Sequence, residues 1–267
     1  MADVDTNSSQ VLFDVMSTAH SGSIAVITIN RPECRNAVDG PTADLLAAAF
    51  RRFDDDAELS VAVLTGADGA FCAGADLKAV STGNGNKVRT TGDGPLGCTR
   101  MQLTKPVIAA VEGHAVAGGL ELALWADLRV ASTEAVFGVY CRRWGVPLVD
   151  GGTIRLPRLI GQSRANDMIL TGRGISGDEA MEFGLANRLV APGAALEASI
   201  DMASDMAGFP QNCLRSDRRS SYEQWSMSLD EALAHETLLG RQVIATGETS
   251  DGAARFANGE GRHGAFS

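Results

Sequence analysis

Two nearly continuous apolar runs dominate the hydrophobic pattern, VAVLT at 61–65 and VIAAV at 107–111. Runs of this length, rich in β-branched residues, predict strands covered on both faces. SIAVITIN (Ser23–Asn30) predicts another strand, paired with the segment around Val11–Val15 and stopped by Arg31-Pro32. Pro41 opens a helix through Phe53. Leu128–Ala131 and Ala135–Val139 read as short strands, and Gly151–Leu159 as a helix. From Ile160 onward the pattern turns helical: 163–170, a helix starting at Ser176-Gly177-Asp178-Glu179, then 194–208, 213–225 and 229–246, with a brief strand at 187–190. The stretch 251–267 reads as a segment ending in a polar tail. The fold class is therefore α/β, with alternation first and helices last.

The chemistry gathers at two glycine-bearing turns. After VIAAV comes Gly118-Gly119, then Glu121 inside the helix-forming run LELALWAD. A glycine pair at a helix start lets a ligand approach the backbone, and the first-turn N–H groups have no helical acceptor. A carboxylate in the same turn can move a proton beside that ligand. After VAVLT comes Phe71-Cys72-Ala73-Gly74-Ala75-Asp76-Leu77, whose small residues leave room for a narrow ligand. Two such loops, each giving one N–H, can pinch a carbonyl oxygen. The Gly-, Ser- and Thr-rich segment 81–97 reads as a mobile loop beside them, a candidate lid.

Composition narrows the classes. With 267 residues, 45% of them hydrophobic, the chain can bury one main core. The net charge of −10 argues against nucleic acid as a partner. No run is apolar for long enough to span a bilayer. The decapeptide MADVDTNSSQ is acidic and polar, unlike a signal peptide, so the expected location is cytoplasmic. Five dispersed cysteines without a CxxC pair predict neither a zinc site nor a disulfide framework; no metal is expected.

Several motifs, in order, resemble the crotonase superfamily, the enoyl-CoA hydratases and isomerases. They are Asn30-Arg31-Pro32 with Asn36-Ala37, AFCAGADL (Ala70–Leu77), KPVIAAVEGHAVAGGLELAL (Lys105–Leu124), Phe137-Gly138, GGTIRLPRLIG (Gly151–Gly161) and TGRGISGDEAMEFGLANRLV (Thr171–Val190). The resemblance implies a spiral of ββα units over 1–195, carrying a CoA thioester site. It implies a helical region over 196–267 used for trimer assembly, with a dimer of trimers common. It places an oxyanion hole at the N–H groups of Ala75 and Gly118, and an acid/base at Glu121. Cys34, Arg35, Ala73, Asp76, Leu77 and Gly119 match positions along the CoA path, and Arg35 suits a phosphate. Tyr140 and Trp144 line the acyl pocket or pack beneath it. No permanently bound cofactor is implied; coenzyme A arrives as part of the substrate.

One position departs from that pattern. Family hydratases use a second glutamate, and counting twenty residues on from Glu121 gives Cys141. A thiol is a weak donor and does not order water as a carboxylate does. Cys141 reads first as a neutral pocket-wall residue and second as a nucleophile. Asp150, just before Gly151-Gly152-Thr153, reads first as a helix N-cap and second as a proton-transfer group. His114 reads as structural, in a turn. Hydration of a trans-2-enoyl-CoA leads. Double-bond isomerisation by one carboxylate, acyl-CoA hydrolysis or dehalogenation through Asp150 or Cys141, and CoA-ester binding without chemistry are the alternatives.

Overall fold

The computed structural model describes residues 10–18 and 22–261. All of MADVDTNSSQ except Gln10 lies outside the described residues, as does the tail from 262 on. In the first compact unit, which extends through Ala207, the chain feeds two sheets in turn. The larger has the order β1 (Val11–Ser17), β2 (Ser23–Ile29), β3 (Leu59–Gly66), β4 (Val107–Val111), β6 (Leu128–Ser132), β9 (Arg188–Val190). β1 and β2 are antiparallel, and every later neighbour is parallel. The smaller sheet is β5 (His114–Val116), β7 (Val136–Gly138), β8 (Gly174–Ser176). After β4 the chain passes to β5, returns to β6, then passes to β7. Each circuit thus adds a strand to both sheets and winds the spiral.

Both faces of the larger sheet are covered, which is why its strands read as unbroken apolar runs. Ile24, Val26, Val61, Val63, Ile108, Ala110 and Val130 pack under α7 (Ala195–Ala207). The alternate residues, among them Ala25, Ile27, Ala62, Leu64, Ala109 and Val111, join the main core with Leu46, Phe50 and Phe53 of α1 (Gly40–Asp55). Asp39 caps α1 by accepting from the Thr42 N–H at 2.9 Å, and Pro41 sits in its first turn. The Glu112 carboxylate accepts from the Ala195 N–H at the start of α7. That bond ties α7 to the end of β4, within the compact unit that ends at Ala207.

The remaining elements of this unit are α2 (Leu77–Ser81), α3 (Gly118–Trp125), α4 (Gly152–Ile160), α5 (Gln162–Thr171) and α6 (Gly177–Phe183). Helix α3 is buried on nearly all sides, with every residue from Gly119 to Trp125 covered. Nothing on it is free to serve a solvated face.

The second unit, from Gly208, contains α8 (Gln211–Glu223), α9 (Leu229–Ala245) and α10 (Glu248–Ala257). Ser228 and Glu231 close a reciprocal capping box on α9. Glu248 at the start of α10 accepts from the Cys213 N–H at 2.8 Å. The segment read as ending in a polar tail is therefore helical through Ala257. Among the described residues, no helix is long and apolar enough to cross a membrane.

Candidate active site

The loop after β3 is laced to the strand after β4. Phe71 N–H donates to Glu112 O, Cys72 N–H to His114 O, and Val116 N–H back to Cys72 O, at 2.8–3.1 Å. His114 therefore belongs to β5, not to a turn, and its carbonyl anchors the loop. Gly74 has φ +92° and Ala117, just before α3, has φ 54° with ψ −124°. A non-glycine residue there is strained and is held by neighbours; the Ala117 N–H donates to Gly138 O at 2.8 Å. Gly119 has no room for a side chain, since a Cβ would overlap the Cys72 carbonyl oxygen. These contacts bring two amides together. A Cβ on Gly74 would stand 2.7 Å from the Gly118 N, and one on Gly118 would stand 3.5 Å from the Ala75 N. Among the described residues, neither N–H has a hydrogen-bond acceptor. Two adjacent unpaired N–H groups at a helix start are a ready oxyanion site.

Glu121 lies one turn along α3 and is 2% exposed. Its Oε1 accepts from the N–H groups of Asp150 and Gly152, each at 2.8 Å. Burial pushes its carboxyl up to about 7, and the nearby Asp150 charge adds to this against the two amides. An acid in that range can give or take a proton near neutrality.

Asp150, 3% exposed, does not cap α4. Gly151, at φ +100°, is the N-cap, and no side chain caps the helix. Asp150 Oδ1 instead accepts from the Leu96 N–H at 3.0 Å and from the Thr99 hydroxyl. Burial pushes the Asp150 carboxyl up, against those two bonds. Arg155 clasps the arrangement, donating to Asp150 O at 2.8 Å and to Thr99 O at 2.7 Å.

Cys141 is buried in a 3-10 turn, Tyr140–Trp144. Burial raises its thiol pKa, the Glu121 charge raises it further, and Arg142 opposes. Burial thus favours the neutral thiol at this position near Glu121.

Arg35 and Ala73 meet, because the Ala73 N–H donates to Arg35 O at 3.0 Å, whereas the Cys34 sulfur turns to the Arg31 carbonyl. The exposed Arg35 is in the left-handed region at φ 54°. Leu77 is 44% exposed. Asp76 is occupied: it accepts from the Lys78 and Ala79 N–H groups as the cap of α2 and pairs with Arg31 at 3.0 Å. Its carboxylate therefore holds the loop. Tyr140 packs against Gly138 and Gly174, with the Arg143 guanidinium 4.0 Å from its ring centre. Trp144 is 74% exposed, not covered beneath a pocket; its turn ends at Gly145, at φ +69°.

Leu96, Thr99 and Arg155 went unread in the sequence. Their only signal is Gly94 and Gly97 flanking Leu96 within 94–99. The segment read as mobile is fixed at that end, where Leu96 and Cys98 are 1% and 0% exposed. An open cavity of about 210 Å³ between α1 and residues 87–97 is lined by Asp44, Lys87, Arg89 and Asp93 but by none of Ala75, Gly118 or Glu121. Two ion pairs cross this lining, Lys87 with Asp44 and Asp93 with Arg51. Among the described residues, no three His, Cys, Asp or Glu side chains cluster as a metal would need.

Comparison with known proteins gives the family. The family model for enoyl-CoA hydratase/isomerase matches residues 19–264. The chain belongs to the enoyl-CoA hydratase/isomerase family. Among curated members it is 36% identical over 246 residues to enoyl-CoA hydratase EchA19 of Mycobacterium tuberculosis, covering 88% of this chain and 91% of that one. It is 38% identical over 188 residues to the carnitinyl-CoA dehydratase of Proteus mirabilis, covering 70% and 72%. Among solved structures, enoyl-CoA hydratase EchA1 from Mycobacterium marinum superposes with TM-score 0.87 at 38% identity, covering 94% of this chain and 96% of that one. The two sheets and α3 thus form the crotonase fold of an acyl-CoA-processing enzyme family.

Proposed function

We propose that this enzyme adds water across the double bond of a trans-2-enoyl-CoA, or removes it in reverse. The thioester oxygen sits between the N–H groups of Ala75 and Gly118. Negative charge grows on that oxygen as the neighbouring carbon becomes enolate-like, and each donor of such a pair contributes about 3–4 kcal/mol to the transition state. Glu121 moves the proton, through the oxygen that the Asp150 and Gly152 amides leave unengaged. The observation that carries this reading is the pair of unbonded amides, one from each loop, with a carboxyl poised near 7 one helical turn along from Gly118. The Arg35–Ala73 junction and Leu77 border the CoA path, with Arg35 offered to a phosphate. CoA enters as part of the substrate, and no bound cofactor is needed.

One observation favours a second reading, isomerisation of the double bond. Cys141, a neutral thiol, stands where the second carboxylate is expected, and a single carboxylate can take a proton from one carbon and return it to another. A covalent route through Cys141 requires a thiolate, which burial disfavours. The exposed apolar side chains Trp225, Leu229 and Leu233 of the second unit support assembly as a homotrimer or a dimer of trimers. The five unpaired cysteines fit a reducing compartment such as the cytoplasm.

The test compares the unaltered enzyme with Glu121→Gln for turnover and for binding of a short acyl-CoA. Turnover lost with binding kept supports the reading. Turnover retained contradicts it, and unchanged binding with no turnover in either protein identifies a binder.

A further inference from the structure

The geometry points to Leu96 as a specificity-determining residue that selects acyl groups unsubstituted at the carbon next to the thioester, with Asp150 as the positioning residue that holds it there. This rests on the CoA-thioester reading above. A Cβ built on Gly118 would meet three neighbours: the Leu96 Cδ1 at 2.8 Å, the Gly74 Cα at 3.3 Å and the Ala75 N at 3.5 Å. The Leu96 methyl therefore stands against Gly118, on the side of that residue that also faces Gly74 and the Ala75 amide. With the thioester oxygen between the Ala75 and Gly118 amides, the first acyl carbon must pass this methyl.

The wall does not yield. Leu96 is 1% exposed. Gly94, at φ +103°, has no space for a Cβ because it would overlap the Thr99 hydroxyl oxygen, and Gly97, at φ +90°, is pressed onto the Ala43 carbonyl of α1. Between these fixed glycines, the Leu96 N–H donates to Asp150 Oδ1; just beyond them, the Thr99 hydroxyl donates to the same oxygen and Arg155 donates to Thr99 O. A packed segment held this way resists the shift that an extra methyl would demand. A methyl refused by an apolar pocket typically changes affinity by about tenfold or more.

The bonds also define what Asp150 supplies. Both donors use Oδ1, and an asparagine presents an acceptor oxygen at the same place. The anchor needs the acceptor, not the charge.

The test is equilibrium binding of propanoyl-CoA and 2-methylpropanoyl-CoA, which differ by one methyl at that carbon. Saturated esters make the readout independent of turnover. The unaltered protein is expected to prefer propanoyl-CoA by about tenfold or more. Leu96→Ala should erase most of that preference by gaining affinity for the branched ester. Asp150→Asn should keep the preference, and Asp150→Ala should lose it. Equal affinities in the unaltered protein, or a preference unchanged in Leu96→Ala, would overturn the inference while leaving the CoA-thioester reading intact. A preference lost in Asp150→Asn would overturn the positioning role. Binding of neither ester by the unaltered protein would sink the CoA-thioester reading and this inference with it.

Discussion

Glu121→Gln should stabilise the protein at pH 8 while removing its turnover. The reason is the environment of the carboxyl. Burial lifts it from the ordinary glutamate value of 4.5 to about 7 in the folded state. Below pH 4.5 both folded and unfolded chains hold the proton, and the group contributes nothing to pH dependence. Between 4.5 and about 7 the unfolded chain ionises while the folded chain stays protonated, so stability falls as pH rises. Above about 7 the deficit is constant. At 1.36 kcal/mol per pH unit, the gap gives a deficit of about 3 kcal/mol. Roughly 2.5 kcal/mol of it develops between pH 5 and pH 8. Glutamine cannot ionise, and its Oε1 can still accept from the Asp150 and Gly152 amides, which stand at 2.8 Å. Urea unfolding of both proteins at pH 5 and pH 8 measures the difference, since the free energy is linear in denaturant. The variant should gain about 2–3 kcal/mol on the parent at pH 8 and well under half of that at pH 5. Turnover at pH 8 should drop by about 10²–10⁴-fold. Parallel stability curves across this range, or a variant less stable than the parent at pH 8, would refute the placement of Glu121 as a buried, poised carboxyl.

Three further outcomes follow from the same coordinates. Gly119→Ala forces a Cβ into the Cys72 carbonyl oxygen, a backbone atom with no freedom to move, and should cost about 3 kcal/mol or more by urea midpoint. Asp76→Ala removes the cap of α2 and the partner of Arg31; it should cost about 1–2 kcal/mol, and steady-state kinetics should show KM for the CoA ester rising more than kcat falls. Cys141→Ala should keep turnover within about tenfold, because a neutral thiol makes no proton transfer that acid–base catalysis needs; complete loss of activity would restore the nucleophile reading.

The legible parts of this chain are those where local chemistry and burial agree. β3 and β4 are covered on both faces, so their apolar runs announce them. Pro41 marks the start of α1 by a mechanism that acts within a few residues, while the Asp39 cap shows only in the fold. The Gly118-Gly119 pair with Glu121 could be read because the amide donors and the carboxylate share one short segment. What escaped reading is non-local or too short to carry a period. In the smaller sheet only β7 is legible, within the strand read at 135–139; β5 and β8 are three-residue strands that offer no alternation to detect, so His114 reads as a turn. Helix α10 is polar and carries Gly252 in its interior, so nothing local distinguishes it from a tail. Asp150 shows the sharpest divergence. DGGT is an ordinary capping sequence, yet Leu96 and Thr99, more than fifty residues upstream, outcompete the local cap for its carboxylate. Only the fold brings those partners within reach. The same holds for Asp76, whose loop position suggested the ligand path and whose carboxylate is taken by α2 and Arg31.

The central claim is that one poised carboxyl beside two free amides is enough to hydrate the double bond of a trans-2-enoyl-CoA. Its most direct test follows the ultraviolet absorbance of a short trans-2-enoyl-CoA mixed with the purified enzyme, with the product identified by mass. The account predicts rapid loss of the enoyl-thioester band and a product heavier by one water. Retention of that band, with the CoA ester still bound, would contradict hydration and leave the single carboxyl to isomerisation.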